Sequence, residues 1–212
     1  MNKFVAELVR RYAALTTCAA DIENAIDMIS ACFAGGNTLF LCGNGGSGAD
    51  ADHIAGELLK GFLLKREITP PELAALTERF GAEGATLGGK LQRGLRTVSL
   101  LSHPGFITAF CNDVDPAMIY AQQLYAQGRR GDVLLGISTS GNAENVRQAF
   151  MTAAFCGIKT ILLTGAKSGK CVPYADLTSH APETETYKIQ ELHLPIYHTM
   201  CMAIEDNFFG KK

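Results

Sequence analysis

The apolar positions of the chain follow two alternating patterns, one typical of buried strands and one typical of helices. Between the strands, apolar residues recur every three or four positions, as they do along one face of a helix. Strands that alternate with helices are typical of a parallel sheet covered on both faces, so we predict an α/β fold with three layers. Short apolar runs bounded by glycine or polar residues predict strands at 38–42, 97–101, 133–138 and 160–164, with a weaker edge strand at 175–179.

Both ends of the chain are predicted to be helical. A helical period of apolar residues runs through 2–34 and stops at Gly35-Gly36, which predicts one long helix or two shorter ones. Because apolar residues cover more than one face, we expect the N-terminal region 1–34 to pack against another helix or a partner subunit. A last helix is expected from about Lys188 to Phe209.

The segment 64–96 departs from this alternation. It is polar, starts a short helix at Pro70-Pro71 and contains several glycines. One interpretation is a plain surface excursion, and the other is a lid or interface flap, because long insertions are often functional. The length of 212 residues suits one domain, 1–212, that carries this insertion.

Composition excludes several classes of protein. The formal net charge is −2, with 19 basic and 21 acidic residues spread along the chain, so we expect neither a nucleic-acid partner nor a membrane surface. The N-terminus resembles neither a signal peptide nor a membrane span, which favours a cytoplasmic protein. The seven cysteines form no CxxC pair, so we expect buried small side chains rather than disulfides or a zinc ribbon.

A glycine-rich loop at 43–48 links the first predicted strand to a helix that runs through Lys60. Glycines let the backbone approach a ligand, and the N–H groups at a helix start favour an anion, so this loop is a candidate cradle for a phosphate or a sugar. His53 and Glu57 follow at i and i+4, on one face of the same helix. The spacing places an imidazole and a carboxylate beside the pocket.

A second polar loop, 138–142, follows the third strand directly. Its hydroxyls, amide and backbone donors suit a phosphate dianion, although taken alone an ordinary helix N-cap explains the same residues. The loop lacks the Walker lysine and the GxGxxG spacing, which argues against nucleotides. In a parallel sheet both loops would lie at the carboxyl ends of the strands, where ligands bind.

The last helix carries Gln190, His193 and His198. His193 is expected to contact a backbone group, as most isolated helical histidines do. His198 could join His53 and Glu57 in a metal site, with the amide oxygen of Gln190 as a fourth ligand. Imidazole and carboxylate ligands suit zinc, whereas an amide is an unusual ligand for it.

Three strings, GNGGSGADADHIAGEL, GDVLLGISTSGN and KIQELHLPIYH, resemble the motifs of bacterial phosphoheptose isomerases, in the sugar isomerase (SIS) domain superfamily. The resemblance covers most of the chain. It implies a doubly wound, flavodoxin-like, five-stranded parallel sheet preceded by N-terminal helices. It also implies a homotetramer with active sites at subunit interfaces, a bound zinc, and conversion of the phosphorylated sugar sedoheptulose 7-phosphate to a heptose 7-phosphate.

Carried over by position, the family's functional residues fall on three groups in this chain. The implied acid and base are Glu57 and His198, acting through an enediol. The implied metal ligands are His53, Glu57, Gln190 and His198. The implied substrate-binding residues are Asn44, Gly45, Gly46, Ser47, Asn112, Asp113, Ser138, Thr139, Ser140 and Gln190.

The chain also departs from the family pattern. Ala143 replaces a serine after the second loop, Tyr187 replaces an aspartate, and Pro195 stands inside the last helix. The segment 66–96 is longer than in typical members. A second hypothesis is therefore a non-catalytic SIS module that binds a phosphosugar or a partner protein, resembling the protein that associates with the replication initiator. The retained set of His53, Glu57, Gln190 and His198 favours the enzyme.

Overall fold

The computed structural model describes residues 1–210, and its centre is one sheet of five parallel strands. The strand order β2-β1-β3-β4-β5 is the doubly wound, flavodoxin-like order expected from the sequence. The fifth strand lies at one edge, as its weaker pattern predicted. The strands are β1 (Leu39–Gly43), β2 (Thr97–Ser99), β3 (Val133–Ile137), β4 (Lys159–Thr164) and β5 (Leu177–His180).

Helices cover both faces of the sheet, and this confirms the three-layer fold. Among residues 1–210 they are α1 (Lys3–Arg11), α2 (Ala19–Ala34), α3 (Gly46–Leu59), α4 (Pro70–Gly88), α5 (Pro104–Asp113), α6 (Ile119–Gln127), α7 (Glu144–Cys156) and α8 (Thr186–Phe209). Short 3-10 helices span Ala13–Cys18, Pro116–Met118 and Val172–Tyr174. None of these helices is both long and apolar enough to span a bilayer.

Alternate residues of each strand enter two different cores. Leu39 and Leu41 of β1 pack under α1, α2, α3 and α8, whereas Phe40 and Cys42 pack under α6 and α7. Residues along a strand point to opposite faces, so a run that is apolar at every position is buried on both sides. The uninterrupted apolar runs in the sequence are thus explained by a sheet with helices on each face.

The N-terminal region forms two helices separated by a 3-10 turn, the second of the two forms predicted. Both helices pack against α8, the last element of the chain. Lys3 Nζ lies 2.7 Å from a carboxylate oxygen of Asp206, and Asn207 donates to Ser30 at 3.2 Å. The first and last segments therefore close one layer together.

The long segment after α3 is an excursion whose two ends are tied to each other. Residues 67 and 92 form an antiparallel bridge, and the Arg93 N–H donates to the Arg66 carbonyl. Thr69 and Glu72 form a capping box at the start of α4. Helix α4 is longer than the short helix predicted and breaks its geometry at Gly81, where φ is 61°.

Helix α8 runs as one element from Thr186 to Phe209, with Pro195 inside it. Proline removes one backbone N–H, which frees the carbonyl one turn earlier. The carbonyl of Pro195 itself accepts from the hydroxyl of Thr199 at 2.8 Å. Gln190 and His198 lie on either side of this proline. They are eight residues apart, which is about 12 Å along a helix that rises 1.5 Å per residue.

Candidate functional site

The strand order reverses between β1 and β3, and the two polar loops of the sequence lie at this point. From β1 the chain moves outward to β2, whereas β3 lies on the other side of β1 and leads on to β4. A crevice forms at such a switch point, outside the carboxyl ends of the strands. The loop after β1 and the loop after β3 line it from either side.

The first loop is held in a conformation that only glycine adopts easily. Gly45 has a φ of 54° and is the N-cap of α3. At Gly46 a Cβ atom would stand 2.5 Å from the side-chain nitrogen of Gln190, so the α8 amide rests against the backbone of the loop. Ser47 follows in the first turn of α3 and is buried. The loop therefore brings α3, α8 and β1 together at one end of the crevice.

Asn44 links the first loop to the second. Its side-chain amide exchanges two hydrogen bonds with that of Asn145 on α7, at 2.8 and 2.9 Å. Tyr120 donates to the Gly43 carbonyl and lies 3.3 Å from the Asn44 side-chain oxygen. These contacts hold the Asn44 side chain against the first turn of α7, the helix that follows the second loop.

The second loop offers unpaired donors beside a helix start. Ser138 is buried, and the Ser140 side-chain oxygen accepts from the Asn142 N–H at 3.2 Å. Among the hydrogen bonds of residues 1–210, none uses the backbone N–H of Thr139 or Ser140. Helix α7 begins just after the loop, with Ala143 as an N-cap that makes no side-chain hydrogen bond. Free N–H groups and a helix N-terminus together suit an anion.

A cavity of about 320 Å³ opens beside this loop. The loop after β4 forms its other wall and contributes Lys167 to the lining. Thr184, just before α8, and Thr186, its first residue, also line the cavity. Glu183 adds a carboxylate to the same wall. The cavity thus collects hydroxyls, a cation and free N–H groups at the carboxyl end of the sheet.

Two imidazoles and a carboxylate meet between α3 and α8. The Nε2 atom of His53 lies 3.4 Å from Oε1 of Glu57. The ring of His198 is centred 5.0 Å from the ring of His53 and is nearly perpendicular to it. His198 Nε2 is buried and has no hydrogen-bond partner in the described part of the chain. Burial lowers the pKa of His198, and the neighbouring His53 acts in the same direction.

A second set of contacts holds His53 from behind. Its Nδ1 atom lies 3.0 Å from the hydroxyl of Tyr197, and this hydroxyl donates to Oδ1 of Asp50 at 3.2 Å. Tyr197 is 1% exposed, so its hydroxyl is shielded from solvent. Burial raises the pKa of Asp50, whereas the hydrogen bond from Tyr197 lowers it.

The end of α3 is fixed by a buried ion pair. Nε of Arg66 lies 2.7 Å from Oε1 of Glu205, and both side chains are within 1% of full burial. The same guanidinium donates to the Leu58 carbonyl at 2.8 Å and to the Glu57 carbonyl at 3.1 Å. Burial raises the pKa of Glu205, but the hydrogen bonds from Phe62, Leu63 and Arg66 outweigh it and the pKa is lowered. The ion pair therefore anchors the turn that carries Glu57.

Not all the predicted residues meet within one chain. Gln190 lies against Gly46, about two helical turns from His198. Asn112 and Asp113 are exposed at the end of α5, where the Asn112 amide donates to the Asp113 carboxylate at 2.9 Å. Among residues 1–210, no three His, Cys, Asp or Glu side chains are grouped so that they could hold a metal ion. His193 is buried and lies 3.3 Å from the Thr164 carbonyl, as expected of a structural histidine.

Four residues at the site were not predicted from the sequence. Asn145 and Lys167 follow β3 and β4, so the rule that ligands bind at the carboxyl ends of parallel strands would have selected both loops. Asp50, His53 and Glu57 follow at helical spacing and lie on one face of α3, so the same spacing rule would have selected Asp50. Tyr197 carries no such signal, because its contact joins residues 144 apart.

Comparison with known proteins finds relatives over most of the chain. A family model described as the SIS domain matches residues 3–94 and 95–165. The chain is 35% identical over 173 residues to a phosphoheptose isomerase of Helicobacter pylori (strain Shi470), which covers 82% of this chain and 77% of the relative. It is 35% identical over 192 residues to a phosphoheptose isomerase of Rhodospirillum rubrum, covering 91% and 88%. The solved phosphoheptose isomerase of Neisseria gonorrhoeae superposes with a TM-score of 0.73 at 30% identity, covering 95% of this chain and 94% of that one.

Proposed function

This chain belongs to the phosphoheptose isomerases of the SIS-domain family, and we propose that it interconverts sedoheptulose 7-phosphate and a D-glycero-heptose 7-phosphate. It is an aldose–ketose isomerase, a class in which a proton moves between two adjacent carbons of a sugar phosphate. The observation that carries the proposal is the meeting of His53, Glu57 and His198 between α3 and α8. The relatives favour the enzyme over a non-catalytic phosphosugar-binding module.

We assign Glu57 the role of general base and His198 that of its acid partner. The reaction needs one group to remove a proton from carbon and another to supply a proton to oxygen, which gives an enediol. The Glu57 side chain is 13% exposed, with one oxygen 3.4 Å from His53 Nε2 and the other 3.0 Å from Lys60 Nζ. The buried Nε2 of His198 has no hydrogen-bond partner among residues 1–210, which leaves it available for a proton transfer. The ion pair of Arg66 and Glu205 supports the backbone that holds the base in place.

The phosphate group is assigned to the second loop. Ser138, Thr139 and Ser140 offer hydroxyls, and the free N–H groups of the loop face the same cavity as Lys167. A phosphate dianion takes charge-assisted hydrogen bonds from such donors. Asn44, with Gly45, Gly46 and Ser47 around it, would then bind the sugar hydroxyls across the crevice.

We propose zinc as the metal, held by His53, Glu57 and His198 with Gln190 as an amide ligand. Support comes from the donor types, from the unpaired Nε2 of His198 and from the 3.4 Å approach of His53 Nε2 to a carboxylate oxygen. When bound, zinc supplies a positive charge that polarises a carbonyl oxygen. Among residues 1–210 of one chain, no three His, Cys, Asp or Glu side chains stand close enough to hold a metal, and Gln190 lies about two turns from His198. A complete set therefore requires movement of α8 or a ligand from another protomer.

We also propose that the active site is completed between protomers of a homotetramer. The second loop and His198 border different cavities in one chain. His198 borders a groove of about 490 Å³ between α1 and α8, which the phosphate-binding loop does not reach. Asn112 and Asp113 lie apart from both, so they are assigned to the site of a neighbouring protomer. The excursion 64–96 is assigned to the same interface, as a flap.

The function is tested by turnover of sedoheptulose 7-phosphate with the wild type and Glu57→Gln. Glutamine keeps the shape of the side chain but cannot take a proton, so we expect kcat to fall by about 10²- to 10⁴-fold. Glu23→Gln is a matched control, because Glu23 lies on α2 with its side chain 33% exposed, away from His53, Glu57 and His198 and from the excursion 64–96. An unchanged kcat in Glu57→Gln would refute the assignment of the base. A wild-type chain that binds the sugar phosphate without turning it over would favour the non-catalytic module.

A further inference from the structure

The contacts behind His53 form a hydrogen-bonded chain that runs from α8 to α3. Asp50 and His53 stand on α3, and Tyr197 bridges them from α8. The distances are 3.2 Å from the tyrosine hydroxyl to Asp50 and 3.0 Å from the same hydroxyl to His53 Nδ1. The Tyr197 ring also meets the His53 ring edge to face, with centroids 5.5 Å apart. The imidazole is therefore held in both position and rotation.

The direction of these hydrogen bonds determines the tautomer of His53. A tyrosine hydroxyl has one proton, and a carboxylate can only accept. If Tyr197 gave its proton to His53, neither oxygen of Asp50 would have a donor among residues 1–210, because Oδ2 is already buried without a partner. Asp50 is half-buried, and a hydrogen bond donated to its carboxylate is charge-assisted and therefore stronger than one donated to a neutral imidazole. Tyr197 therefore donates to Asp50 and accepts from the Nδ1–H of His53.

This arrangement leaves Nε2 of His53 as the nitrogen with a free electron pair. Nε2 faces Oε1 of Glu57 at 3.4 Å, and two acceptors at this distance repel each other unless a proton or a cation lies between them. A histidine that binds a metal usually gives its other N–H to an oxygen acceptor, and this contact orients the ring. The geometry behind His53 has this form, with a tyrosine hydroxyl as the acceptor.

We propose that Asp50 and Tyr197 are positioning residues that hold His53 as the Nδ1–H tautomer, with Nε2 directed at the cation site. The proposal deepens the function given above and rests on it for the identity of the cation. Neither residue touches the substrate in this account. The tyrosine hydroxyl and Asp50 act on the site through His53, whereas the Tyr197 ring also packs edge to face on the His198 ring at 5.0 Å. Tyr197→Phe keeps this ring contact, so it tests the hydroxyl alone.

The test compares the wild type with Tyr197→Phe, which removes the hydroxyl and keeps the ring in its packed position. The full chain is labelled with ¹⁵N-histidine and freed of metal with a chelator, and the tautomer of His53 is read from long-range ¹H–¹⁵N spectra at pH 8. His53→Gln identifies its signals among those of the five histidines. We expect Nδ1–H in the wild type and loss of this preference in Tyr197→Phe.

Zinc affinity is measured on the same samples by competition with a chelating dye. We expect Tyr197→Phe to lower the affinity by roughly 10- to 100-fold. Thr199→Val is the matched control, because it removes a buried hydroxyl from α8 that donates to Pro195 rather than to His53. We expect the control to keep both the tautomer and the affinity.

The two readouts separate this proposal from the function on which it rests. An Nε2–H tautomer in the wild type, or a tautomer unchanged in Tyr197→Phe, would overturn the positioning role. A tautomer that changes as expected in a chain that binds no zinc would support the positioning role and reject zinc as the ion. Asp50→Asn keeps an oxygen acceptor, so it should preserve the tautomer better than Asp50→Ala, and equal effects would also count against the proposal.

Discussion

At position 143 an alanine stands where helix α7 begins, directly after the loop assigned to the phosphate. Its φ of −63° and ψ of 116° are those of an N-cap, yet it has no side chain that could cap the helix. A serine there would accept from an N–H of the first turn and offer its own hydroxyl proton to an anion. The residue thus affects both the stability of α7 and the binding of substrate.

We predict that Ala143→Ser raises the free energy of unfolding by about 1 kcal/mol, the usual value of an N-cap. The same change should lower KM for the sugar phosphate and leave kcat nearly unchanged, because the hydroxyl binds the non-reacting end of the substrate. Urea unfolding and steady-state kinetics measure the two effects. Ala143→Gly is the control without a hydroxyl. A KM that does not fall, together with a stability gain, would show that position 143 acts on the helix alone.

His193 is predicted to make stability depend on pH. Burial lowers the pKa of His193 to about 4, below its ordinary value. The unfolded chain binds a proton near its ordinary pKa of about 6.5, whereas the folded chain does not until the pH is far lower. The stabilising contribution is therefore complete above about pH 6.5 and is lost as the pH falls from there toward 4.

At pH 5 this loss is expected to reach about 2 kcal/mol relative to pH 8. Urea unfolding at both pH values, for the wild type and His193→Gln, isolates the contribution of this histidine. Glutamine cannot gain a charge, so its stability should change less between the two pH values. Equal pH dependence in both proteins would contradict the assignment.

At the scale of elements, the buried pair of Arg66 and Glu205 holds the end of α3, the loop after it and α8 together. The carboxylate accepts from the N–H groups of Phe62, Leu63 and Leu64, and the guanidinium caps the last carbonyls of α3. The aromatic ring of Phe209 lies 4.7 Å from the guanidinium carbon. One ion pair thus links three elements around the candidate base.

We predict that Glu205→Gln and Arg66→Met each lower the free energy of unfolding by about 3–5 kcal/mol, because each leaves a buried charge without its partner. The double variant removes both charges, so its loss should be clearly smaller than the sum of the two single losses. Urea unfolding of the four proteins measures this coupling. Additive losses would indicate that the two side chains act independently.

The elements themselves could be predicted from local pattern because β1, β3 and most of β4 are continuous apolar runs and the helices between them are periodic. The predicted strand 38–42 is β1 (Leu39–Gly43), and 160–164 is β4 (Lys159–Thr164). The extent of α4 could not be predicted, because the glycines at 81, 84 and 88 argue against a helix from local propensity alone. In the structure Gly88 packs against Leu73 and Ile68, which local propensity does not include.

The sequence predicts those contacts of the site that join residues close together in one motif. His53 and Glu57 share a helix, so their contact follows from spacing. The approach of His198 and the support of Tyr197 join α8 to α3 across more than 140 residues, and no local pattern encodes such a contact. The roles of Gln190, Asn112 and Asp113 stay predictions for the same reason.

At the scale of the whole molecule, sites shared between protomers would let two inactive variants restore each other. If Asp113 belongs to the active site of a neighbouring protomer, each site takes Glu57 from one protomer and Asp113 from another. Glu57→Gln and Asp113→Ala then damage parts of the site that different protomers supply. In a random equal mixture that is dissociated and reassembled, roughly a quarter of the sites would then contain both intact residues. We predict that activity returns to about this level.

The control mixture combines Glu57→Gln with His198→Gln. These two residues meet within one chain, so no reassembled site should contain both intact groups, and activity should stay absent. Turnover is measured before and after reassembly. Restoration in the control, or none in the test mixture, would contradict the assignment of Asp113 to a neighbouring site.

The packing of α1 and α2 on α8 also has a consequence for synthesis on the ribosome. Helices α1 and α2 are translated well before α8, so they lack this partner until residue 209 has been added. Apolar side chains that α8 helps to bury, including Val5 and Ile22, stay without it during that time. The growing chain is therefore a natural client for chaperones that shield apolar helices until α8 has been made.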